Sequence, residues 1–336
     1  MAEMMVSVVF ITYNHEKYVR KAILSVLQQE TDFPFEVIVG EDCSTDSTRA
    51  ILQEIKAQYP DQVKLLFREK NLGRPTLNVY QTSMECSGKY VAYLEGDDYW
   101  TDTKKLQKQV DFLEAHPEYI AVTHTCQMVD AENQVITNPE ILKIGGMYDW
   151  DGKFTFEDYK HQPNWPGHYG TVLCRNIYKE GKYDYSVLYK AHDFFDDGVI
   201  LMFLLVQGDI WRMKDTMSAW RYVRKEGGGN WNSISMQRDT IRENCYLTQS
   251  LLKWCIGYFG LSDDGRRIAN KDFETALNAF VHKPNKRNLQ FVKDMYTYNI
   301  KEVVMQGQKT SLFTYSVGAI VRRLFRGKKR TTAGRQ

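Results

Sequence analysis

The sequence predicts an α/β protein: a mostly parallel sheet flanked by helices on both faces, with a helical C-terminal extension. Three observations carry that prediction. Between Val6 and Cys126, short apolar runs alternate with segments whose apolar residues recur at helical spacing. Polar residues, many of them acidic, stand directly after the apolar runs. From about residue 233 the spacing is helical and strand signals stop. Strands covered on both faces read as unbroken apolar runs, and strand–helix alternation builds parallel sheets.

Each element has its own signal. Val6–Ile11 is a first, all-apolar strand. Glu16–Gln29 places Val19, Ala22, Ile23, Val26 and Leu27 on one helical face. Phe35–Gly40 is a second strand. Asp46 or Ser47 caps the next helix, whose stripe is Ile51, Leu52 and Ile55. Val63–Phe67 is a third strand, Thr76–Cys86 a helix and Lys89–Leu94 a fourth strand. Thr101 or Thr103 opens a helix that buries Leu106, Val110 and Leu113 and stops before Pro117; Ile120–Cys126 is a fifth strand. Residues 128–170 read as loops and small strands over a cleft. Asp193–Gln207 is an apolar helix behind an acidic start, Asp209–Met213 and Thr216–Trp220 are short strands, and Gly227–Asn230 is a flexible loop. The expected organisation is an α/β domain over 1–232, helices over 233–312 and a basic tail over 313–336.

The bulk properties bound the function. The chain has 336 residues, 43% apolar and 26% charged, which suits a soluble globular protein with a sizeable core. A net charge of +2 calls for no nucleic acid, and no basic face on an ordered element suggests one. Six scattered cysteines without a CxxC read as reduced core residues, which favours the cytosol. No signal peptide and no spanning segment are expected. Arg322, Arg323 and Arg326–Arg330 give the tail a weak basic–amphipathic character, read either as a solvated end or as peripheral contact with an anionic membrane. A homodimer is also compatible with the chain.

In open α/β sheets, ligands bind beyond the carboxyl ends of the strands, so the residues there are read for function. Glu95-Gly96-Asp97-Asp98 places three carboxylates within four residues. Such crowding is costly without a cation, and hard oxygen ligands suit Mg²⁺ or Mn²⁺. Gly96 allows a bulky group or a backbone to approach. Against this stands a polar loop in which Asp98 or Thr101 caps the next helix. Glu41 and Asp42 end the second strand, where a carboxylate can accept from a ribose or a base N–H; Asp46 reads as a cap. Tyr13 can pack on a base and Thr12 can bond to it, while Asn14 serves equally as a ligand or a cap. Arg74 can face a diphosphate, although a lone loop arginine is usually solvated. Asp193, Asp196 and Asp197, interleaved with aromatics, are candidates for a general base, although acids at a helix N-terminus are also favourable there for local electrostatic reasons alone.

Val8–Asn14, Gly40–Asp46 and Leu94–Trp100 together resemble the family 2 glycosyltransferases of GT-A fold, inverting enzymes that include bacterial surface-polysaccharide glycosyltransferases. The resemblance covers roughly residues 4–232. It implies a Rossmann-like GT-A domain, a nucleotide diphosphate sugar donor (UDP by default) and a saccharide or lipid-linked acceptor. It also implies Mn²⁺ or Mg²⁺. It assigns Thr12, Tyr13 and Asp42 to the base, puts Glu41 where a second aspartate is common, and sets Glu95, Gly96 and Asp97 in the D-x-D positions, with Asp97 as the direct ligand and Asp98 accompanying it. It places the base on Asp197, with Asp196 and Asp193 as rivals. Val223 stands where a ligand histidine is common, so that histidine is expected to be missing. The acceptor would sit at the cytoplasmic membrane face. The rival readings are a sugar-phosphate nucleotidyltransferase, which wants a glycine-rich basic loop where Thr12-Tyr13-Asn14-His15 stands, and a non-catalytic sugar-binding protein.

Overall fold

In the computed structural model, residues 3–144, 150–161, 166–179, 181, 183–190, 196–224, 233, 238–247, 250 and 263–298 are described. The chain divides into two compact units, Met1–Asp239 and Thr240–Gln336, and each is taken by itself.

The first unit begins as the apolar runs predict. Strands β1 (Val6–Thr12), β2 (Phe35–Glu41), β3 (Val63–Phe67) and β4 (Tyr90–Glu95) pair in parallel, in the order β3-β2-β1-β4. Every residue of β1 is buried, which is why its sequence shows no alternation. Helices α1 (Val19–Leu27), α2 (Thr48–Gln58), α3 (Pro75–Ser83) and α4 (Lys105–Ala115) lie between and after these strands. The stripe Val19, Ala22, Ile23, Val26 and Leu27 is buried against Val8, Phe10, Leu94 and Leu106 in one apolar cluster. Full burial of each larger aliphatic side chain contributes about 1.5–3 kcal/mol. Helix α1 starts three residues later than its apolar spacing suggests, because Asn14 turns the chain through a left-handed conformation (φ 55°) and the residues after it form a turn.

Past β4 the sheet becomes mixed. The remaining strands are β5 (Tyr99–Trp100), β6 (Tyr119–Val129), β7 (Gly152–Phe154), β8 (Leu173–Arg175) and β9 (Asp209–Arg221). Strand β8 runs antiparallel between β4 and β6, β9 lies parallel to β6, and β5 and β7 pair antiparallel with β9. The two short strands expected at 209–213 and 216–220 are therefore one. The exposed pair Lys214 and Asp215 bulges out where the register shifts beside His124 and Thr125, and this polar interruption is what made one strand read as two. Short helices α5 (Pro139–Ile144), α6 (Phe156–His161) and α7 (Val187–Lys190) occupy the irregular middle. The buried helix α8 (Asp196–Leu205) leads into β9.

In the second unit, α9 (Asp263–His282) and α10 (Lys286–Tyr298) enclose a small core of Cys245, Phe273, Ala276, Phe291 and Met295. Asn285 takes the Asn288 N–H at 2.8 Å and so starts α10. All described cysteines are free. No helix among the described residues is long and apolar enough to cross a membrane. The tail from 313 and the glycines 227–229 lie outside the described residues.

The parallel half tolerates little added volume. A Cβ on Gly88 would lie 2.6 Å from the Ser7 backbone nitrogen and 2.8 Å from the Val6 carbonyl carbon. Gly88→Ala therefore forces the strand apart, and a urea denaturation series is expected to show a loss of about 1–3 kcal/mol, the usual range for overpacking.

Candidate active site

Pairing brings three strand exits to one level. Ile11 lies opposite both Gly40 and Glu95, and Thr12 lies opposite Glu41. The segments after β1, β2 and β4 thus meet along one edge of the sheet, as the topology of parallel strands requires.

The first two exits are clasped together. Asn14 donates its N–H to Ser44 Oγ (2.9 Å), while its Oδ1 accepts from Thr45 N (2.8 Å). Glu16 N donates to Asp46 Oδ2 and Ser47 N donates to Glu16 Oε2, both at 3.0 Å, and His15 N reaches Thr48 Oγ1. Asp46 also takes the N–H of Thr48, the first residue of α2, as its capping assignment expects. Glu41 is buried and fully engaged: Oε1 accepts from Ser44 N, and Oε2 accepts from Arg49 Nε at 2.6 Å. Asp42, 5% exposed, has its Oδ1 against Leu72 N at 2.9 Å, and burial raises its carboxyl above the ordinary range. Tyr13 projects a ring that is 40% exposed. Arg74 donates to the Tyr189 carbonyl at 2.6 Å and lies 5.7 Å from that ring, so its guanidinium is held by the protein.

The exit of β4 carries the acids. A Cβ on Gly96 would lie 2.5 Å from Thr12 Oγ1 and 2.9 Å from His15 Nδ1. Gly96 thus admits the protein's own Thr12 and His15, which share a 3.2 Å hydrogen bond. Asp97 Oδ2 stands 3.9 Å from His15 Nε2. Asp98 is almost wholly buried. Its Oδ1 accepts from Arg221 N at 2.7 Å, and its Oδ2 has no hydrogen-bond partner. Burial first, and the Asp97 charge second, push its carboxyl well above the usual carboxylate range.

Opposite Asp98 lies a residue that the sequence reading passed over. His168 Nδ1 is 3.7 Å from Asp98 Oδ2, and the His168 ring stacks on Trp220 with centroids 4.8 Å apart. Burial lowers its pKa to about 3, so the imidazole is neutral, and its Nδ1 accepts from Gly170 N at 3.3 Å. Glu95, Asp98 and His168 each offer a ligand atom, and these atoms lie within 4.8 Å of one another. Val223 leaves the segment after β9 without a histidine, but a candidate ligand histidine stands elsewhere in the fold. The residue comes from the turn before β8 rather than from the segment after β9, and His168-Tyr169-Gly170 carries no ligand spacing that would have marked it. Asp97 stands beside this cluster rather than within it.

The donor set fits a divalent cation. A buried carboxylate oxygen without a partner, a second carboxylate and a neutral imidazole are what Mn²⁺ or Mg²⁺ accepts, and a cation would offset the cost of burying Asp98. Asp193 lies outside the described residues. Asp196 and Asp197 form the first turn of α8, with only their backbone described.

Arg221 ties the site to the rest of the unit. Besides its N–H on Asp98, its guanidinium donates to the carbonyls of Asp97 (2.8 Å), Asp130 (2.6 Å) and Ala131, and to Asn133 Oδ1 (2.9 Å), with Tyr18 lying 4.1 Å beneath it.

Comparison with known proteins gives a consistent picture. Residues 7–179 match the profile of glycosyl transferase family 2. The chain is 42% identical over 123 residues to an uncharacterised protein of Mycobacterium tuberculosis, a match covering 37% of this chain and 35% of that protein. It is 34% identical over 113 residues to the poly(ribitol-phosphate) β-N-acetylglucosaminyltransferase TarS of Staphylococcus aureus, covering 33% of this chain and 19% of TarS. These matches therefore span about a third or less of the relatives' own length. The crystal structure of TarS 1–349 in complex with UDP-GlcNAc superposes with a TM-score of 0.61 at 18% identity, covering 89% of this chain and 82% of that one, which extends the likeness in fold.

Arg221→Lys retains the charge but cannot reach all of these acceptors at once. Stranded buried acceptors cost about 1–3 kcal/mol each. Denaturant unfolding is expected to show a loss of about 2–4 kcal/mol; an unchanged midpoint would show that Arg221 does not hold the site together.

Proposed function

Since the chain belongs to glycosyl transferase family 2, we infer that it moves a sugar from a nucleotide diphosphate sugar, by preference a UDP-sugar, to a hydroxyl of a saccharide or lipid-linked acceptor in surface-polysaccharide synthesis, inverting the anomeric centre. The observation that carries the reading is the buried, unpartnered Oδ2 of Asp98 at the exit of β4, beside Glu95 and His168. The preference for UDP draws support from the likeness to a structure that contains UDP-GlcNAc.

Each residue then has a task. The Tyr13 ring stacks on the base, and Thr12 and Asp42 bond to it. Arg74 lies toward the diphosphate. Glu95, Asp98 and His168 would hold a divalent cation, and Asp97 adds a further carboxylate at the same strand exit. Such an ion supplies positive charge against the departing diphosphate. Asp197 takes the proton from the acceptor hydroxyl as that oxygen attacks the anomeric carbon and the carbon–phosphate oxygen bond breaks on the opposite face. General base catalysis of this kind contributes about 10²–10⁴-fold. Asp196 and Asp193 are the alternative bases. An acceptor carried on lipid would place the enzyme at the inner face of the cytoplasmic membrane, with the basic tail as a peripheral contact.

A thermal-shift screen of nucleotide diphosphate sugars with Mn²⁺, followed by turnover assays, tests the reading. Stabilisation by a UDP-sugar and metal-dependent release of UDP are expected. Absence of metal-dependent turnover with any donor sinks the reading. Asp197→Asn is expected to lower kcat by about 10²–10⁴-fold with little change in donor KM. A larger effect of Asp196→Asn would move the base to that residue.

A further inference from the structure

Beneath the turn that carries His168 lies a set of buried polar side chains that the proposed reaction does not use. Lys105 and Gln109, one helical turn apart on α4, are both completely buried, and Trp100 is nearly so. Lys105 Nζ donates to Gln109 Oε1 at 2.7 Å and lies 4.0 Å from the Trp100 ring centroid. Because Oε1 is taken by a donor, the Gln109 amide is oriented, and its Nε2 donates to the carbonyls of Thr171 (2.9 Å) and Val122 (3.2 Å). Trp100 Nε1 donates to the Gly170 carbonyl at 3.0 Å. These bonds hold the last two residues of the turn Tyr169–Thr171. Within the turn, Thr171 N donates to the His168 carbonyl at 2.8 Å, and Gly170 N lies 3.3 Å from His168 Nδ1. Support reaches His168 from the other side as well, since Pro166 O accepts from Thr123 Oγ1 at 2.8 Å.

A buried amine facing an amide and an indole is an expensive arrangement for a core, because apolar residues of the same size would pack there without a desolvation cost. Burial lowers the Lys105 pKa well below its ordinary range. What the arrangement achieves is orientation. Lys105 sets Gln109, and Gln109 and Trp100 fix two adjacent carbonyls of the turn that follows His168, the residue facing the unpartnered oxygen of Asp98. We propose that Lys105, Gln109 and Trp100 are positioning residues that hold the 168–171 turn so that His168 faces Asp98 and Glu95 in a cation-binding arrangement. The proposal rests on the cation site of the preceding section. Partners of this kind, one shell out from a metal ligand, are worth about 10–100-fold in metal affinity.

The test is direct binding of Mn²⁺ to the full-length protein, measured by the loss of the free-ion electron paramagnetic resonance signal, with no donor or acceptor present. Gln109→Met keeps the shape and removes both N–H donors. It is expected to weaken Mn²⁺ binding about 10–100-fold while near-ultraviolet circular dichroism at the assay temperature remains that of the folded protein. His168→Ala is expected to weaken binding by at least as much, and the double variant no further than His168→Ala alone, since both changes act through one ligand. Unchanged Mn²⁺ affinity in Gln109→Met, or additive losses in the double variant, overturns the positioning role and leaves the cation site standing. A wild-type protein that binds no Mn²⁺ overturns both. If Gln109→Met does not fold, Trp100→Phe, which removes only the indole N–H, is measured in its place with the same expectations.

Discussion

The backbone N–H of Arg221 on the carboxylate of Asp98 is the interaction on which the rest of the site depends. It joins the far end of β9 to the exit of β4, elements that are not neighbours in the sheet. The same residue's guanidinium gathers the carbonyls of Asp97, Asp130 and Ala131. Arg221, through its backbone and its side chain, thus ties the mixed half of the sheet to the parallel half. The second oxygen of Asp98 is left without a hydrogen-bond partner. A carboxylate buried in that condition is unfavourable unless a proton or a cation neutralises it.

The parallel half supplies the other constraint. Three strand exits stand at one level because β2, β1 and β4 are adjacent and in register. The missing Cβ of Gly96 lets Thr12 and His15 close against the acidic exit. Asp42 and Tyr13 on one side and Asp98 on the other are therefore parts of one edge, although more than fifty residues of chain separate Asp42 from Asp98.

Much of this was legible in the sequence. The apolar runs from Val6 to Leu94 marked the strands to within one residue at each end, since burial on both faces leaves an unbroken signal. The acids after Leu94 and the resemblance in Val8–Asn14 and Gly40–Asp46 led to the family that the profile match bears out. Strand β8 went unseen because three residues, Leu173-Cys174-Arg175, are too short for a period. Its antiparallel course, with those of β5 and β7, makes the sheet mixed. His168 went unseen for a related reason: it gains its meaning from a contact across the fold with Asp98, and its local sequence carries none of that. Glu41 read as a ligand because it stands at a strand exit; its engagement by Arg49 depends on the turn of α2 that brings the arginine back.

The clasp between the loops after β1 and β2 has a thermodynamic consequence. Asn14 and Cys43 both sit in the left-handed backbone region, and hydrogen bonds run in both directions between 14–16 and 44–48. The entropy of ordering these loops is lost when the protein folds. If the base sits between Tyr13 and Asp42 as proposed, it meets backbone that the clasp already holds in place, so more of its contact energy is available as affinity.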